Sequence, residues 1–523
     1  MSPGQQLPEG EERPAGLAGT VLRGAGMAGA GFAFGQALNL AFYIVLARML
    51  SPEEFGVYAA ASILLGFTYL LNETGMASAI IQRRDRVEEA QSTAVVATWT
   101  GGVILTIAAA AVAPLVGLIF DSDQIAEVSL AMSGTVFIAA TGIVPDAILQ
   151  RRFSFLRRMV IEPIQVVVFG TVTVILAAHD HGVWSLVIGQ YSGFAVAAIS
   201  TWLFAGWLPK LRDVSVGMWR ELVSYGRHIF AATAILQLGE QAADTAIVGT
   251  GLGTAALGQY RYAFRIASTP FAVILAGASY VIFPAFSRIA EDAARLRSAF
   301  LRSLRWVCAI GFPAGMILVP LGPALAVLVF GDVWLPAGEA AVAICGYTGA
   351  TAISSVVSEA LKADGRPERL VHMHSLTAGV TIAAMLALLP LGLTAVAAGL
   401  SIGAVAGAAY SLRAARQVLG VPLEAMVREI WPPLAASVVM ALVLLPIDRL
   451  VLDPASRETI PGLALVGLEG IAGIALFTLV LHLLAPGTIG ELVETLKRRG
   501  RSAAIEPAEH ADPPSEADLP PLP

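Results

Sequence analysis

Apolar stretches of 18 or more residues, nearly free of charge, recur along this chain from about residue 22 to about residue 485. Each is long enough to cross the ~30 Å hydrocarbon core of a bilayer as a helix. In lipid the backbone amides have no water to bond, so every crossing must satisfy its hydrogen bonds within its own segment. With 56% hydrophobic and 14% charged residues, no soluble class accommodates the chain. The pattern predicts an all-α polytopic membrane protein. Fourteen spans can be drawn, at roughly 22–48, 55–82, 90–118, 126–150, 157–178, 183–208, 226–250, 255–284, 303–330, 336–361, 370–390, 392–414, 430–452 and 462–485. The eleventh and twelfth are separated by little more than "LPLGL".

Basic residues set the orientation. The loops after the even spans, with the C-terminal segment, hold 26 of the 33 Lys and Arg, and Arg13 and Arg23 flank the first span on that same side. The opposite side keeps Arg48, Arg449 and Arg457, while Arg261 and Arg265 fall inside a span. Lys and Arg favour the cytoplasmic face, so both termini are expected inside, which agrees with an even number of crossings.

A repeat runs through the core. Setting "IVLARMLSPEEFGVYAAA" (44–61) against "AIVGTGLGTAALGQYRYA" (246–263) at an offset of 202 aligns Leu50 with Leu252, Gly56 with Gly258, Tyr58 with Tyr260 and Ala61 with Ala263. Six spans separate equivalent points, so both halves share one orientation. The expectation is two six-helix lobes related by a pseudo-two-fold axis along the membrane normal, plus two extra C-terminal spans. The boundaries follow: a polar tail at 1–19, lobes at 20–208 and 226–418, an amphipathic linker at 209–225, two further helices at 419–486, and a charged, Pro-rich tail at 487–523. Both tails lack apolar periodicity and read as disordered, and the N-terminal one lacks the basic start of a secretory signal. Residues 286–302 read as a second amphipathic helix on the cytoplasmic face. In "LSPEEFG", Ser51, Pro52 and Glu54 form the signature of a capped helix start.

Ionisable residues deep in spans are costly and mark candidate sites. Glu240 and Asp244 share a helical face with Gln237 and Gln241. Counting from the turn at Leu252, Asp244 lies at nearly the same depth as Arg261, and Glu240 at nearly that of Arg265, roughly 12 and 18 Å in. Two readings stay open: a structural salt-bridge ladder pinning one hairpin, or the wall of a polar cavity whose guanidinium groups receive an anionic substrate. A second set, Asn72, Glu73, Asp146 and Glu162, lies toward the cytoplasm. Asp146 and Glu162 are expected to snorkel toward Arg151, Arg152, Arg157 or Arg158, with a gate or ion-coupling role as the alternative. Gln36, Asn39 and Gln190 read as interhelical hydrogen-bonding residues. Cys308 and Cys345 read as small core residues. "GLGTAALG" lacks the preceding strand of a dinucleotide loop, and "HDH" at 179–181 offers too few ligands for a metal. No catalytic residue, metal, cofactor or nucleic-acid partner is expected.

The stretch "ARMLSPEEFGVYAAASILLGFTYLLNETGMASAIIQRRD" (47–85) resembles the opening of bacterial Wzx-type polysaccharide and O-antigen flippases. "ALGQYRYAFRIASTPFAVILAGASYVIFPAFSRI" (256–289), "FGDVWLPAGEAAVAI" (330–344) and "ALKADGRPERL" (360–370) are similar to the same family. The resemblance covers roughly residues 25 to 420 and leaves out the last two spans and the tail. It implies the multidrug/oligosaccharidyl-lipid/polysaccharide exporter superfamily and two six-helix lobes around a central cavity. It further implies an undecaprenyl-diphosphate-linked oligosaccharide flipped across the bacterial inner membrane, and polysaccharide polymerase or export proteins as partners. No fixed set of site residues carries over from it. The leading expectation is a flippase working by alternating access, with a coupling proton or sodium ion left open. The alternatives are a cation-coupled drug or metabolite exporter of the same fold, a lipid II flippase, and a membrane glycan polymerase, which would usually carry a large outer loop.

Overall fold

The computed structural model describes residues 34–68, 80, 85–152, 155–221, 242–289, 291–364, 366, 368–452, 454 and 457–487. Helix dominates. In chain order these are α1 (Phe34–Ala47), α2 (Pro52–Ala61, extended by a 3-10 turn at Ser62–Leu65), α3 (Val87–Ile119), α4 (Asp123–Arg151), α5 (Phe155–Ala177) and α6 (Val183–Ala205). A helix α7 at 242–252 and α8 (Thr254–Arg288) follow. Then come α9 (Ala293–Met316 with Leu318–Phe330), α10 (Asp332–Ala343 with Cys345–Ala363), α11 (Glu368–Leu388), α12 (Leu393–Leu419), α13 (Leu423–Ile447) and α14 (Thr459–Leu484). By length and composition eight of the described helices can cross a membrane, and ten when the bent pairs α9 and α10 each count as one span. The protein is an all-helical, multi-pass membrane protein.

Local chemistry accounts for the helix ends. Ser51 Oγ accepts from the Glu54 amide at 3.3 Å, and Glu54 Oε2 accepts from the Ser51 amide at 2.7 Å, with Pro52 opening α2. Asp292 caps α9 by accepting from the amides of Ala294 and Arg295 at 3.1 and 3.0 Å. Gly253 (φ +91°) and Gly392 (φ +89°) make the tight reversals before α8 and α12 in a region of backbone space that side chains disfavour. The amphipathic segment expected at 286–302 is therefore not one helix. Its first residues end α8, and the Asp292 cap starts α9.

The linker is described as far as residue 221. It is stapled to the start of α3: Lys210 Nζ lies 2.8 Å from Glu88, and the Ser215 amide donates to Thr93 Oγ1 at 3.1 Å. Met218 is buried, while Val216 and Trp219 stay exposed, as an amphipathic surface segment requires.

The apolar core is divided unevenly. One cluster joins both halves of the chain through Leu46, Phe55, Val136, Leu186, Tyr260, Tyr262 and Trp334. It occupies one end of the helices, the end the distribution of basic residues leads one to expect outside. At the other end two separate clusters take over, one holding Val95, Ile148 and Ile161 and the other Phe300, Val356 and Met426.

Helices α2 and α8 cross inside the shared cluster. A Cβ built at Gly56 would stand 1.8 Å from the Thr254 carbonyl oxygen, and one at Gly258 would stand 1.9 Å from that of Pro52. Adding 202 to Pro52 and Gly56 gives Thr254 and Gly258, so each helix offers the other the same contact. Only glycine permits it.

Candidate functional site

Below this crossing lies a cavity of about 550 Å³, bounded by α1, α2 and α6 on one side and by α7 and α8 on the other. Its roof is aromatic. Phe55 meets Tyr262 edge-on at 4.9 Å and Trp334 at 5.7 Å, and Tyr262 lies 4.0 Å from Trp334 between ring centroids. Trp334 Nε1 donates to the Ala47 carbonyl at 2.8 Å and the Tyr262 hydroxyl to the Tyr43 carbonyl at 3.1 Å, which satisfies both polar side-chain atoms of this otherwise apolar plug.

The walls are polar. Gln36, Asn39, Tyr58, Ser62 and Gln190 come from the first half, and Arg261, Arg265, Ser268 and Thr269 from the second. Among the described residues lining the cavity, the charged ones are Arg261 and Arg265, both cations. Their spacing of four residues on α8 turns both toward the same space.

The two guanidinium groups are held differently. Arg261 Nη2 lies 3.6 Å from Asp244 Oδ1 and donates to Thr245 Oγ1. Asp244 also accepts from the Thr245 amide at 2.6 Å and from the Tyr260 hydroxyl at 3.2 Å, so neutral donors share its charge. Asp244 is not among the residues lining the cavity: it braces Arg261 from behind. Arg265 reaches across to α1, where its Nη1 donates to Asn39 Oδ1 at 2.8 Å and its Cζ sits 3.3 Å above the centre of the Tyr43 ring. A cation over an aromatic face keeps its charge while the ring fixes its plane. A planar, oriented guanidinium is suited to gripping two phosphate oxygens at once.

Of the residues singled out from sequence, the structure brings together Arg261, Arg265 and Asp244. Gln237, Glu240, Gln241, Asn72 and Glu73 lie outside the described residues. Asp146 accepts from Gln150 Nε2 at 3.0 Å, one turn along α4, and Glu162 lies exposed on α5 beside Gly35; neither lines the cavity. The basic turn after α4 reaches the end of α6, where Arg152 and Arg157 donate to the carbonyls of Ala205 and Phe204, while Arg151 donates to that of Ile80. Cations at the α6 terminus offset its aligned carbonyl dipoles.

Gln36, Asn39 and Gln190 do more than the sequence suggested. Asn39 and Gln190 make the expected interhelical bonds, to Arg265 and to the Tyr58 hydroxyl at 2.9 Å, and all three line the cavity. Tyr43 and Tyr58 were not singled out. A signal existed for Tyr58, since the offset of 202 pairs it with Tyr260, and both hydroxyls donate to a polar side chain on another helix.

Comparison with known proteins bears on family and fold. A curated relative, the lipopolysaccharide biosynthesis protein WzxC of Escherichia coli (strain K12), is 26% identical over 304 residues, or 57% of this chain and 60% of that protein. The succinoglycan biosynthesis transport protein ExoT of Rhizobium meliloti (strain 1021) is 25% identical over 296 residues, 55% of this chain and 58% of that protein. The chain thus spans about 60% of the length of the curated relatives it matches. Among solved structures, the lipid II flippase MurJ in an inward closed conformation superposes with a TM-score of 0.70 over 87% of this chain and 98% of that one. At 15% identity that likeness speaks for the fold alone. The family described as polysaccharide biosynthesis protein matches residues 45–339, more than half of the chain, and to that family this protein belongs.

Proposed function

We propose that this protein is a flippase of the cytoplasmic membrane that moves a lipid-linked oligosaccharide, carried on undecaprenyl diphosphate, to the outer leaflet by alternating access. The observation that carries the reading is the cavity between the two halves, charged among its described walls by Arg261 and Arg265 alone. A diphosphate cannot cross a low-dielectric core unassisted, because burying unpaired charge is prohibitive. Two oriented guanidinium groups offset that cost, and the amides and hydroxyls around them suit a sugar.

The fourteen-span layout and the division into lobes at 20–208 and 226–418, with a linker at 209–225 and two further helices at 419–486, belong to the same proposal. The reciprocal crossing at Gly56 and Gly258 and the single outer cluster support a state sealed outside and separated toward the cytoplasm. Substrate phosphate would take over Arg261 from Asp244, so the acid acts as a partner that holds the cation until substrate arrives.

The test is export at matched expression. Arg261→Gln and Arg265→Gln, singly and together, should lower delivery of the glycan to the cell surface while the protein stays inserted. Arg261→Lys and Arg265→Lys should retain part of it, since charge survives although the fork does not. Wild-type surface polysaccharide in the double glutamine variant would overturn the reading.

A further inference from the structure

Helix α13 joins the second half of the chain along a seam with α9. Arg305 of α9 and Glu429 of α13 form an ion pair across it, both side chains being largely buried. Further in, Ala309 of α9 shares an apolar cluster with Ala436 and Met440 of α13. Residue numbers rise together along the seam, so the two helices run parallel from this end.

Helical rotation then gives each neighbour of the ion pair a side. At about 100° per residue, Leu304 and Ile430 turn to one flank of the seam. Both are buried in the core cluster of the second half, which agrees with that placement. Arg302 and Arg428 turn to the opposite flank, and both are exposed. Counted back from the ion pair, one lies three residues away and the other one residue, so their depths differ by only about 3 Å.

Each of these arginines is followed, one turn deeper, by a tryptophan: Trp306 on α9 and Trp431 on α13. Trp431 is 45% exposed and opens an outward apolar stripe that continues through Leu434 and Val438. Tryptophan favours the level where lipid chains meet headgroups, and arginine lays its stem on apolar surface while its charge reaches the polar layer. The flank thus presents cations at headgroup depth with an apolar surface directly beside them.

Other arginines of α9 are engaged. Arg295 pairs with Asp292, Arg297 donates to the Leu419 carbonyl, and Arg305 is held by Glu429. Arg302 and Arg428 have no ion-pair or hydrogen-bond partner among the described residues. Glu424, one turn nearer the start of α13, is exposed and pairs with neither.

We propose that this flank of the α9–α13 seam docks the phosphate headgroup of an anionic bilayer phospholipid, with Arg302 and Arg428 as its ligands and the lipid chains against Trp306 and Trp431. Charge complementarity selects an anion, and two planar guanidinium forks suit phosphate oxygens. The apolar stripe beside them selects a lipid over a free ion. The site is separate from the central cavity, which neither arginine lines. It would tie α13 to the second half through a bound lipid as well as through the ion pair.

Native mass spectrometry of the full-length protein, purified in detergent and given phosphatidylglycerol or phosphatidylcholine, tests this. Phosphatidylglycerol should stay bound under conditions that strip phosphatidylcholine. R302Q and R428Q should each weaken its apparent affinity about five-fold, and the double variant about thirty-fold. Lysine at both positions should restore most of the selectivity. R413Q/R416Q, which removes two exposed arginines of α12 at the same end, should leave affinity unchanged. Should the double variant fail to insert, R428Q alone carries the test. Unchanged affinity in R302Q/R428Q, or no preference between the two lipids in the wild type, would overturn the proposal. So would an equal loss in R413Q/R416Q, which would reduce the effect to surface charge. Displacement of the lipid by millimolar inorganic phosphate would also overturn it, by assigning the site to a free anion.

Discussion

Gly258 lies directly against Gly56, with the position of its absent Cβ 3.1 Å from the Gly56 amide nitrogen. Between them these residues let α2 and α8 touch backbone to backbone inside the apolar cluster shared by both halves. A methyl group on either glycine has nowhere to go, because the obstacle is a carbonyl of the opposite helix rather than a flexible side chain. Gly56→Ala and Gly258→Ala should each destabilise the protein by about 1–3 kcal/mol, the usual cost of forcing atoms into a packed interface. Since the first methyl already separates the helices, the double variant should cost less than the sum. Thermal unfolding in detergent reads both, and wild-type midpoints would refute the close contact.

The orientation proposed from the basic residues can be checked by labelling. A cysteine placed near Asp123 or Asp180 should react with an impermeant thiol reagent added to intact cells, and one near Arg84 or Arg288 should not. The reversed pattern would invert the molecule and place the aromatic roof on the cytoplasmic side.

The brace behind Arg261 is testable by a double-mutant cycle. Arg261 is one-third exposed and lies 3.6 Å from Asp244, so the pair is worth less than a fully buried one. Coupling between Asp244→Asn and Arg261→Gln should come to about 1 kcal/mol, well short of the 3–5 kcal/mol lost when a fully buried pair is broken. Purely additive effects on unfolding would remove Asp244 from its bracing role.

Tyr43 should act on Arg265 through its ring. Tyr43→Phe keeps the aromatic face and should preserve export, whereas Tyr43→Leu should reduce it, by an amount corresponding to about 0.5–2 kcal/mol. Equal export in the two variants would show that the stacking at 3.3 Å does no orienting.

Helices were legible because burial in lipid leaves a coarse signal, long apolar runs nearly free of charge. The Ser51–Glu54 cap could be read for a different reason: its chemistry is contained within four residues. Arg261 and Arg265 stood out as charges within an apolar helix. Single neutral polar residues such as Asn39 and Gln190 carry no such mark, since their role depends on which helix faces them. Asp244 shows the same limit: its depth was readable, but whether it pointed into the cavity or behind Arg261 depended on rotation about the helix axis. The two bends differ in kind. The 48° bend of α9 at Ile317 follows Pro313 by one turn, a removal of a backbone donor that sequence can flag. The 45° bend of α10 at Ile344 has no proline to announce it.

The uneven division of the apolar core has a thermal consequence. The crossing of α2 and α8 is held by one oily cluster that runs through both halves, and the cavity beneath it by guanidinium, amide and hydroxyl contacts. Adhesion between apolar surfaces is largely entropic near room temperature and weakens on cooling, while the polar contacts do not share that dependence. Temperature therefore acts on the shared cluster and on the cavity beneath it unequally: in the cold, the apolar seal loosens before the polar walls do.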